Sequence, residues 1–441
     1  MIRHLLLLAA ITASLQASNI LNTPTVDASQ FRVTQFAAGL PLPNSMIKAP
    51  DGSLLAVISP GFSTSQVVRF QDLNSDGFAD GPATLLYSNA LGGAGTQIRQ
   101  AGKLLYIGEF GTSTITALAP GTLASDPLSA VGALQFQYPA GHGHPSAGIA
   151  VRPTPGSPGS VDLIFNIGSQ FNDRLSVDPV IVGGFGLAPT PLQGDSLYML
   201  TINESGSTPQ ASNLRQIATG IRNVYGLAFD PISGDLLFAD NAIDEAIVTR
   251  TSEPVMADEL NRIPAALLGQ SILKFGYPNC YPAYRTNVTV EISAGACSGV
   301  TQSLINFQPV PNNPGGFRSE GPAEIAFAPA LFPSLFRNGI FVGFSGGAGP
   351  GGLNNQNALV FVDSNFSRLI HFIESGTPGI GNILGVYSTA DSLFIADWGG
   401  SSIYQITALS QIPEPVTAFL ITSGLGLVYC GRRKRQKNKT R

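Results

Sequence analysis

The chain of 441 residues has few charged side chains: Asp, Glu, Lys and Arg make up only 12% of it. Basic side chains are scarcest in its central part. Without Arg3, Glu414 and the seven basic residues after Gly431, 16 Lys and Arg remain against 27 Asp and Glu, a net charge of about −11. A nucleic-acid-binding surface needs a basic patch or stripe. The composition therefore predicts that nucleic acid is not a partner.

Cysteine is also scarce, with three in the whole chain. Cys430 lies near the C-terminus, whereas Cys280 and Cys297 stand 17 residues apart across a loop rich in Pro, Tyr and Asn. This spacing predicts one disulfide, formed in an oxidising compartment. Such a bond would stabilise the fold by ~3 kcal/mol in the chain-entropy model. A metal site with two cysteine ligands is the weaker alternative, because no histidine lies nearby.

A phosphate-binding glycine loop is missing as well. The glycine-rich segment 346–352 contains Pro350 and no lysine, so it is typical of a surface loop. Glycine and proline are otherwise abundant, with 50 and 32 residues. That composition favours many turns and short strands over long helices.

The N-terminus has the pattern of a secretory signal peptide, assigned to residues 1–18. A short basic start is followed by an apolar stretch, Leu5 to Ile11, and then by small and polar residues. We expect cleavage near Ala17 and export of the rest of the chain. The alternative is a buried N-terminal helix, but nothing in the sequence caps or continues one.

The C-terminal segment 409–441 has the pattern of a short membrane anchor. The sequence Pro413-Glu414-Pro415 precedes an uncharged apolar span, 416–430, and a basic tail, 432–441. The span is slightly short for a transmembrane helix, and its basic flank would stay on the cytoplasmic side.

These three parts, in this order, resemble the PEP-CTERM sorting signal of bacteria that secrete exopolysaccharide. The resemblance implies that an exosortase recognises the segment and cleaves it. We therefore expect an exported protein at the cell envelope, on the cell surface or outside the cell, held at least transiently by a short transmembrane sorting helix. An ordinary tail anchor is the alternative and implies nearly the same location.

A repeated pattern runs through the central region, assigned to residues 19–408. Each copy has a short apolar strand, a turn containing Gly, Asp or Pro, and a second strand that ends in small or acidic residues. The copies are 46–58, 98–109, 148–168, 226–240, 324–343 and 383–398. Each is predicted to be a β-hairpin, and the continuous apolar runs indicate burial on both faces. Six such hairpins predict an all-β, six-bladed β-propeller, whereas a β-sandwich would need fewer and more evenly spaced strands.

Several of these segments resemble the glucose/sorbosone dehydrogenase family, the six-bladed quinoprotein sugar dehydrogenases. The similar segments are 220–230, with an Arg-Asn pair; 258–263, an acidic motif; 275–280, an aromatic-Gly-aromatic-Pro motif; 321–327; and 392–397. The resemblance extends over residues 40–408 but is patchy. It implies a dehydrogenase that uses pyrroloquinoline quinone (PQQ) to oxidise a sugar or aldose.

The resemblance also implies roles for individual residues. His144, in the sequence Gly141-His142-Gly143-His144-Pro145, matches the general base, which must be a neutral imidazole to accept a proton from a sugar hydroxyl. Arg222 would stabilise negative charge on the quinone, and Asn223 would hydrogen-bond it. Asp258 matches a calcium-ligand position.

Two alternatives remain open at this point. His142 and His144 are also compatible with turn residues whose side chains bond to backbone carbonyls. A propeller can keep its blades and lose its chemistry, so the second candidate is a non-catalytic propeller that binds glycan, such as exopolysaccharide, or protein.

A separate candidate metal site lies between two predicted strands. Asp72, Asn74, Asp76 and Asp80 place oxygen ligands at positions 1, 3, 5 and 9 of a loop with glycine at position 6, as in an EF-hand calcium loop. The glutamate expected at position 12 is absent. The loop is therefore either a structural calcium site or an Asx-turn held by side-chain hydrogen bonds alone.

Overall fold

The computed structural model describes residues 25–89, 93–110, 113–145, 148–244, 253–310, 315–346, 356–374 and 380–409. The predicted signal peptide, apolar span and basic tail lie outside these residues. Helical structure in the described part is limited to three short 3-10 segments, Ala28–Gln30, Pro60–Phe62 and Ser334–Phe336. None of the described helices is long and apolar enough to cross a membrane.

The described strands form six large sheets, and each sheet is one blade of a propeller. The N-terminal strand β1 (Phe31–Ala38) belongs to the last blade. Blade 1 contains β2 (Pro43–Lys48), β3 (Leu54–Ile58), β4 (Ser65–Phe70) and β5 (Thr84–Asn89). Blade 2 begins with β6 (Gly95–Gln100), β7 (Leu105–Glu109), β8 (Thr114–Ala119) and β9 (Ser129–Gln137).

Blades 2 and 3 share the next part of the chain. Blade 3 contains β10 (Ile149–Pro153), β11 (Ser160–Ile167), β14 (Ser196–Asn203) and β15 (Gln210–Thr219). Between β11 and β14, the strands β12 (Val180–Gly184) and β13 (Leu187–Leu192) return to the edge of blade 2 and extend it to six strands.

The last three blades complete the ring. Blade 4 contains β16 (Val224–Phe229), β17 (Leu236–Asp240), β18 (Asp258–Ile263) and β22 (Ile305–Phe307). Blade 5 contains β23 (Pro322–Phe327), β24 (Ile340–Phe344), β25 (Asn357–Val362) and β26 (Leu369–Glu374). Blade 6 contains β27 (Ile383–Ser388), β28 (Ser392–Asp397), β29 (Ser402–Ala408) and, on its outer side, β1.

The six predicted hairpins are confirmed, and each forms the two inner strands of one blade. Most of their turns are short and local, as in 49–53, where the N–H groups of Ala49 and Gly52 donate to the carbonyls of Ser53 and Ala49. Strands β3, β17 and β24 are buried along their whole length, as their continuous apolar runs predict.

The ring is closed by the N-terminal strand. Strand β1 pairs antiparallel with β29, from Phe31 opposite Ala408 to Ala38 opposite Ser402, so the two ends of the described chain share blade 6. Each inner strand also contacts the inner strands of the two neighbouring blades, in the cyclic order β2, β6, β10, β16, β23 and β27. The blades therefore form a complete ring that leaves no open end between blade 6 and blade 1.

Every inner strand begins, and every second strand ends, at the same end of the ring. We call this end the upper face. The segment before β10, with His144, and the segment before β16, with Arg222, both lie there. The antiparallel pairing of β10 with β11 and of β16 with β17 brings the residues that follow β11 and β17 to the same face.

Side chains from opposite blades meet across the central channel. Arg99 on β6 forms an ion pair with Glu324 on β23, with 2.8 Å between Nη1 and Oε1. The Ser45 hydroxyl on β2 and the Val386 N–H on β27 also donate to the Glu324 carboxylate. The Tyr225 hydroxyl donates to the Thr96 carbonyl, from blade 4 to blade 2. The channel is therefore crossed by hydrogen-bonded side chains.

An insertion between β18 and β22 leaves blade 4 and returns to it. It contains β19 (Leu273–Lys274), which pairs with β15 at the edge of blade 3, and a two-stranded sheet of β20 (Cys280–Pro282) and β21 (Thr289–Glu291). The predicted disulfide is present here: Cys280 and Cys297 are bonded, with their Cα atoms 5.1 Å apart.

Candidate functional site

His144 is held on the upper face by two interactions with Ser169. Its Nδ1 lies 2.9 Å from the Ser169 carbonyl oxygen and 2.9 Å from Ser169 Oγ. Because the carbonyl can only accept, Nδ1 carries the proton and donates it to that oxygen. The Ser169 hydroxyl in turn donates to the Phe171 carbonyl at 2.6 Å. The Nε2 atom of His144 is left with its lone pair, and no side chain or backbone group of the described residues donates to it.

The electrostatic surroundings keep this imidazole neutral. Burial lowers the pKa of His144, and the positive charge of Arg222 lowers it further, to about 3. At neutral pH the side chain is therefore an uncharged base whose acceptor atom is Nε2. Sequence reasoning predicted a neutral base at this residue.

His142, two residues earlier, is also bonded to a backbone carbonyl: its Nε2 lies 3.1 Å from the Gly168 oxygen. Its ring packs on Tyr138 with centroids 4.6 Å apart, and burial lowers its pKa. Both histidines thus bond to carbonyls, as expected of turn residues. The second ring nitrogen has no hydrogen-bond partner among the described residues in either histidine, and Nδ1 of His142 is buried.

His144 and Arg222 approach each other at a glycine. A Cβ atom on Gly168 would lie 2.5 Å from the His144 carbonyl oxygen and 3.2 Å from that of Arg222. Only glycine allows this approach without a shift of the backbone. The Ser169 N–H also donates to the Arg222 carbonyl at 2.7 Å. The two residues singled out from separate sequence motifs are therefore brought to one site.

The guanidinium of Arg222 is buried, with 3% of the residue exposed, and forms an ion pair with Asp244 at 2.9 Å. Its Nη2 also donates to Asn172 Oδ1 at 2.8 Å, and its Nε donates to the Asn172 carbonyl at 3.2 Å. The remaining bond, from Nη1 to the Asn241 carbonyl, is long at 3.4 Å. Arg222 therefore supplies a fixed positive charge to the site, with most of its donors already engaged.

The loop after β11 holds both His144 and Arg222, and sequence reasoning missed it. Ser169 contacts the histidine, while Asn172 contacts the arginine and accepts a hydrogen bond from the Asp244 N–H at 3.1 Å. Tyr277 fixes this loop from outside, because its hydroxyl lies 2.9 Å from the Phe171 carbonyl and 3.0 Å from that of Arg174. Of these residues, only Tyr277 fell within a quoted motif. Its neighbour Phe275 packs against Phe238 in the core.

Asn223 differs from Arg222 in the availability of its side chain. Its backbone N–H donates to Asp240 Oδ1 at 2.7 Å, which fixes the turn before β16. Its side-chain amide has no hydrogen-bond partner among the described residues and is partly exposed. The amide is therefore able to bond to a ligand on the upper face.

Asp258 is buried at the start of β18. Its Oδ1 accepts hydrogen bonds from the Ala242 N–H at 2.7 Å and the Ser319 hydroxyl at 2.5 Å, and its Oδ2 accepts one from the Glu320 N–H at 3.0 Å. Burial raises the pKa of Asp258 to about 7. These donors satisfy the carboxylate within the protein, and its predicted role as a calcium ligand stays a prediction.

The loop of Asp72, Asn74, Asp76 and Asp80 is held by hydrogen bonds between its own residues. Asp72 accepts from the N–H groups of Asp76 and Gly77, Asp76 from that of Phe78, and Asp80 from that of Leu73. This is the Asx-turn arrangement. No group of three or more His, Cys, Asp and Glu residues that could hold a metal ion is found in the described part of the chain. Calcium binding by this loop stays a prediction.

The loop nevertheless occupies a particular place in the fold. The Ala79 N–H donates to the Phe36 carbonyl on β1 at 2.9 Å, and Arg32 Nη2 donates to the Asp76 carbonyl at 3.3 Å. The candidate calcium loop therefore packs on the strand that closes the ring.

Acidic residues at the ends of second strands have a structural role. Asp240 accepts hydrogen bonds from the N–H groups of Arg222 and Asn223. Asp397 accepts hydrogen bonds from those of Asn382 and Gly400. Both carboxylates are buried, so they connect the blade to the loop before its inner strand rather than ending in solvent.

Comparison with known proteins extends this description. No family model matches the sequence, and no curated protein matches it. Among solved structures, the protein is similar in fold to a Trichoderma reesei carbohydrate-active enzyme of family AA12, a calcium structure (14% identity, TM-score 0.58), over 86% of this chain and 96% of that one.

Two further similar structures are dehydrogenases. One is the PQQ domain of pyranose dehydrogenase from Coprinopsis cinerea in its holo form (14% identity, TM-score 0.57), over 86% of this chain and 95% of that one. The other is the PQQ-bound aldose sugar dehydrogenase from Streptomyces coelicolor (16% identity, TM-score 0.52), over 86% of this chain and 98% of that one. At these identities the likeness establishes the six-bladed propeller fold.

Proposed function

We propose that this protein is a quinone-dependent dehydrogenase that oxidises a hydroxyl group of a sugar. The observation that carries the proposal is the pairing of His144 with Arg222 on the upper face. A neutral imidazole, fixed as one tautomer with Nε2 as its acceptor, stands beside a fixed positive charge. The similar solved structures that are named as PQQ-containing sugar dehydrogenases support the same choice.

Three features of the site suit a dehydrogenase that uses PQQ. Nε2 of His144 can accept a hydrogen bond from the substrate hydroxyl. The side-chain amide of Asn223 has no partner among the described residues and can bond to the cofactor. Arg222 supplies positive charge while its ion pair with Asp244 stays intact. PQQ, when bound, would accept the hydride that leaves the carbon of the sugar. His144 would take the hydroxyl proton, and the positive charge of Arg222 would stabilise the negative charge that builds up nearby.

We further propose that the protein is exported and acts at the cell envelope or outside the cell. The support is the signal-peptide pattern of residues 1–18 and the likeness of the C-terminal segment to a PEP-CTERM signal, which would make an exosortase its processing partner. The Cys280–Cys297 disulfide agrees with an oxidising compartment. Calcium is proposed as a second cofactor, through Asp258 or the Asp72–Asp80 loop.

Calorimetric titration of the purified protein with PQQ and calcium tests the proposal. We expect micromolar or tighter binding, weakened at least tenfold by Asn223→Ala. The matched control is Asn365→Ala, an exposed asparagine in the turn between β25 and β26. With the quinone bound, His144→Gln should reduce sugar oxidation by about 10²–10⁴-fold and leave quinone affinity unchanged.

Absence of PQQ binding by the folded protein would overturn this function. The protein would then be better described as a non-catalytic propeller that binds glycan or protein at the same face. The engaged guanidinium of Arg222 is the observation that favours this second candidate, because it offers no open cation to a carboxylate ligand.

A further inference from the structure

A second feature of the upper face is a group of aromatic rings on blades 6, 1 and 2. Phe62, after β3, is 53% exposed, and Phe110, after β7, is 42% exposed. Trp398, the only tryptophan of the whole chain, follows β28 and is partly buried. All three residues follow second strands, so they lie on the upper face.

Phe62 and Trp398 form one surface that spans two blades. Their ring centroids are 5.7 Å apart and their planes meet at 85°, an edge-to-face contact. The backbone of each residue is held by a hydrogen bond: the main-chain N–H of Trp398 donates to the Asn382 carbonyl at 2.8 Å, and that of Phe62 donates to the Ser59 carbonyl at 3.1 Å. We call this pair the aromatic platform.

The two segments that carry the platform have no exposed charged residue. The segments 59–64 and 398–401 contain only uncharged residues, and the neighbouring Asp397 is buried with its carboxylate bonded to backbone N–H groups. A charged ligand would find no ion-pair partner in these two segments. Small hydroxyl side chains, Ser63 and Ser401, stand next to the rings in the sequence.

We propose that the aromatic platform binds a pyranose ring of a neutral oligosaccharide. A pyranose has an apolar C–H face, which can stack on an aromatic ring, and an edge of hydroxyl groups, which can bond to serine and backbone groups. Two rings offer too little area for a stable protein partner, which needs about 800 Å² on each side. A sugar ring is about the size of the platform and, like the two segments that carry the platform, is uncharged.

The position of the platform sets the length of the ligand. In a ring of six, blades 6 and 1 stand opposite blades 3 and 4, which carry His144 and Arg222. One pyranose cannot reach both sites, so a ligand that occupies both must be an extended chain lying across the upper face. We infer that this oligosaccharide is also the substrate, which rests on the proposed function; binding at the platform does not.

Tryptophan fluorescence tests the platform directly, because Trp398 is the sole tryptophan. The full chain, without quinone, is titrated with cellohexaose and with maltohexaose, and glucose serves as the single-ring probe. We expect a saturable change in emission with at least one hexasaccharide and at least tenfold weaker binding of glucose. Phe62→Ala should weaken the hexasaccharide at least tenfold.

The matched control is Phe78→Ala. Phe78 is 54% exposed but lies in the loop that leaves the other end of β4 and packs against β1, so its removal should leave binding unchanged. Equal effects of the two variants would overturn the proposal. So would the absence of binding of either hexasaccharide at millimolar concentration, by both fluorescence and calorimetry. Because no quinone is present, failure of PQQ binding leaves this result untouched, and the reverse also holds.

Discussion

Replacing Arg99 by Met would test whether the ion pair across the channel stabilises the ring. Glu324 is fully buried, and three groups donate to it: Arg99 Nη1, the Ser45 hydroxyl and the Val386 N–H. Arg99→Met removes the only positive charge among them and leaves the carboxylate in place. Breaking a buried pair by removal of one partner typically lowers the free energy of unfolding by about 3–5 kcal/mol. We expect a loss of this size at pH 8.

The loss in the free energy of unfolding should be smaller at lower pH, because Glu324 then becomes protonated. Burial raises the pKa of Glu324, and the charge of Arg99 counteracts that increase. Without Arg99 the folded-state pKa rises further above its unfolded value. A raised carboxyl pKa makes the folded state the better proton binder, so stability is present at low pH and is lost as pH rises through the folded-state pKa. For each pKa unit by which the folded-state value of Glu324 rises, the free energy of unfolding at high pH falls by about 1.4 kcal/mol.

Denaturant unfolding at pH 5 and pH 8 provides the measurement. Arg285→Met is the control, because the Arg285–Glu253 pair lies near the surface and its loss should cost at most about 1 kcal/mol at either pH. The double variant Arg99→Met/Glu324→Leu should recover much of the stability, since no buried charge remains. An equal loss at both pH values, or no recovery in the double variant, would refute the reasoning.

Two further predictions concern the candidate site and the ring closure. Tyr277→Phe should lower the free energy of unfolding by about 1–2 kcal/mol and, by nitrogen NMR of the histidines, give His144 a mixture of tautomers; an unchanged His144 signal would contradict the role of Tyr277 in holding the loop. Calcium at 100 times its dissociation constant should stabilise the protein by ~2.7 kcal/mol if the Asp72–Asp80 loop binds it. Asp76→Ala should remove this effect and Asp230→Ala, a turn-capping control, should not; an equal response in both variants would place the calcium elsewhere.

The blades were predictable because their signals are local. A turn with Gly, Asp or Pro between two apolar runs specifies a hairpin within about twenty residues, and all six hairpins were found in this way. The pairing of β1 with β29 carries no such signal, because its partners lie at opposite ends of the domain. The same holds for β12 and β13, which leave blade 3 and extend blade 2.

The candidate site was predictable only where a motif marks it. His144 and Arg222 were identified from sequence similarity, and the structure brings them together. Ser169 and Asn172, which orient them, lie in a loop whose contacts depend on packing between blades 3 and 4. Their residue types are common in loops, so nothing in the sequence separates them from other serines and asparagines. Positioning groups of this kind become visible only when the ring is assembled.

The side chains that cross the channel affect how a ligand can lie on the upper face. Arg99 and Glu324 come from opposite blades, and Tyr225 reaches Thr96 from blade 4 to blade 2, so protein side chains already occupy the axis. These contacts restrict the path of a ligand at His144 down the axis and favour its extension over the upper face. The aromatic platform lies in the direction opposite the site. The extended neutral glycan that we propose as ligand has a shape that suits this arrangement, because it can stack on the platform at one end while its other end lies at His144.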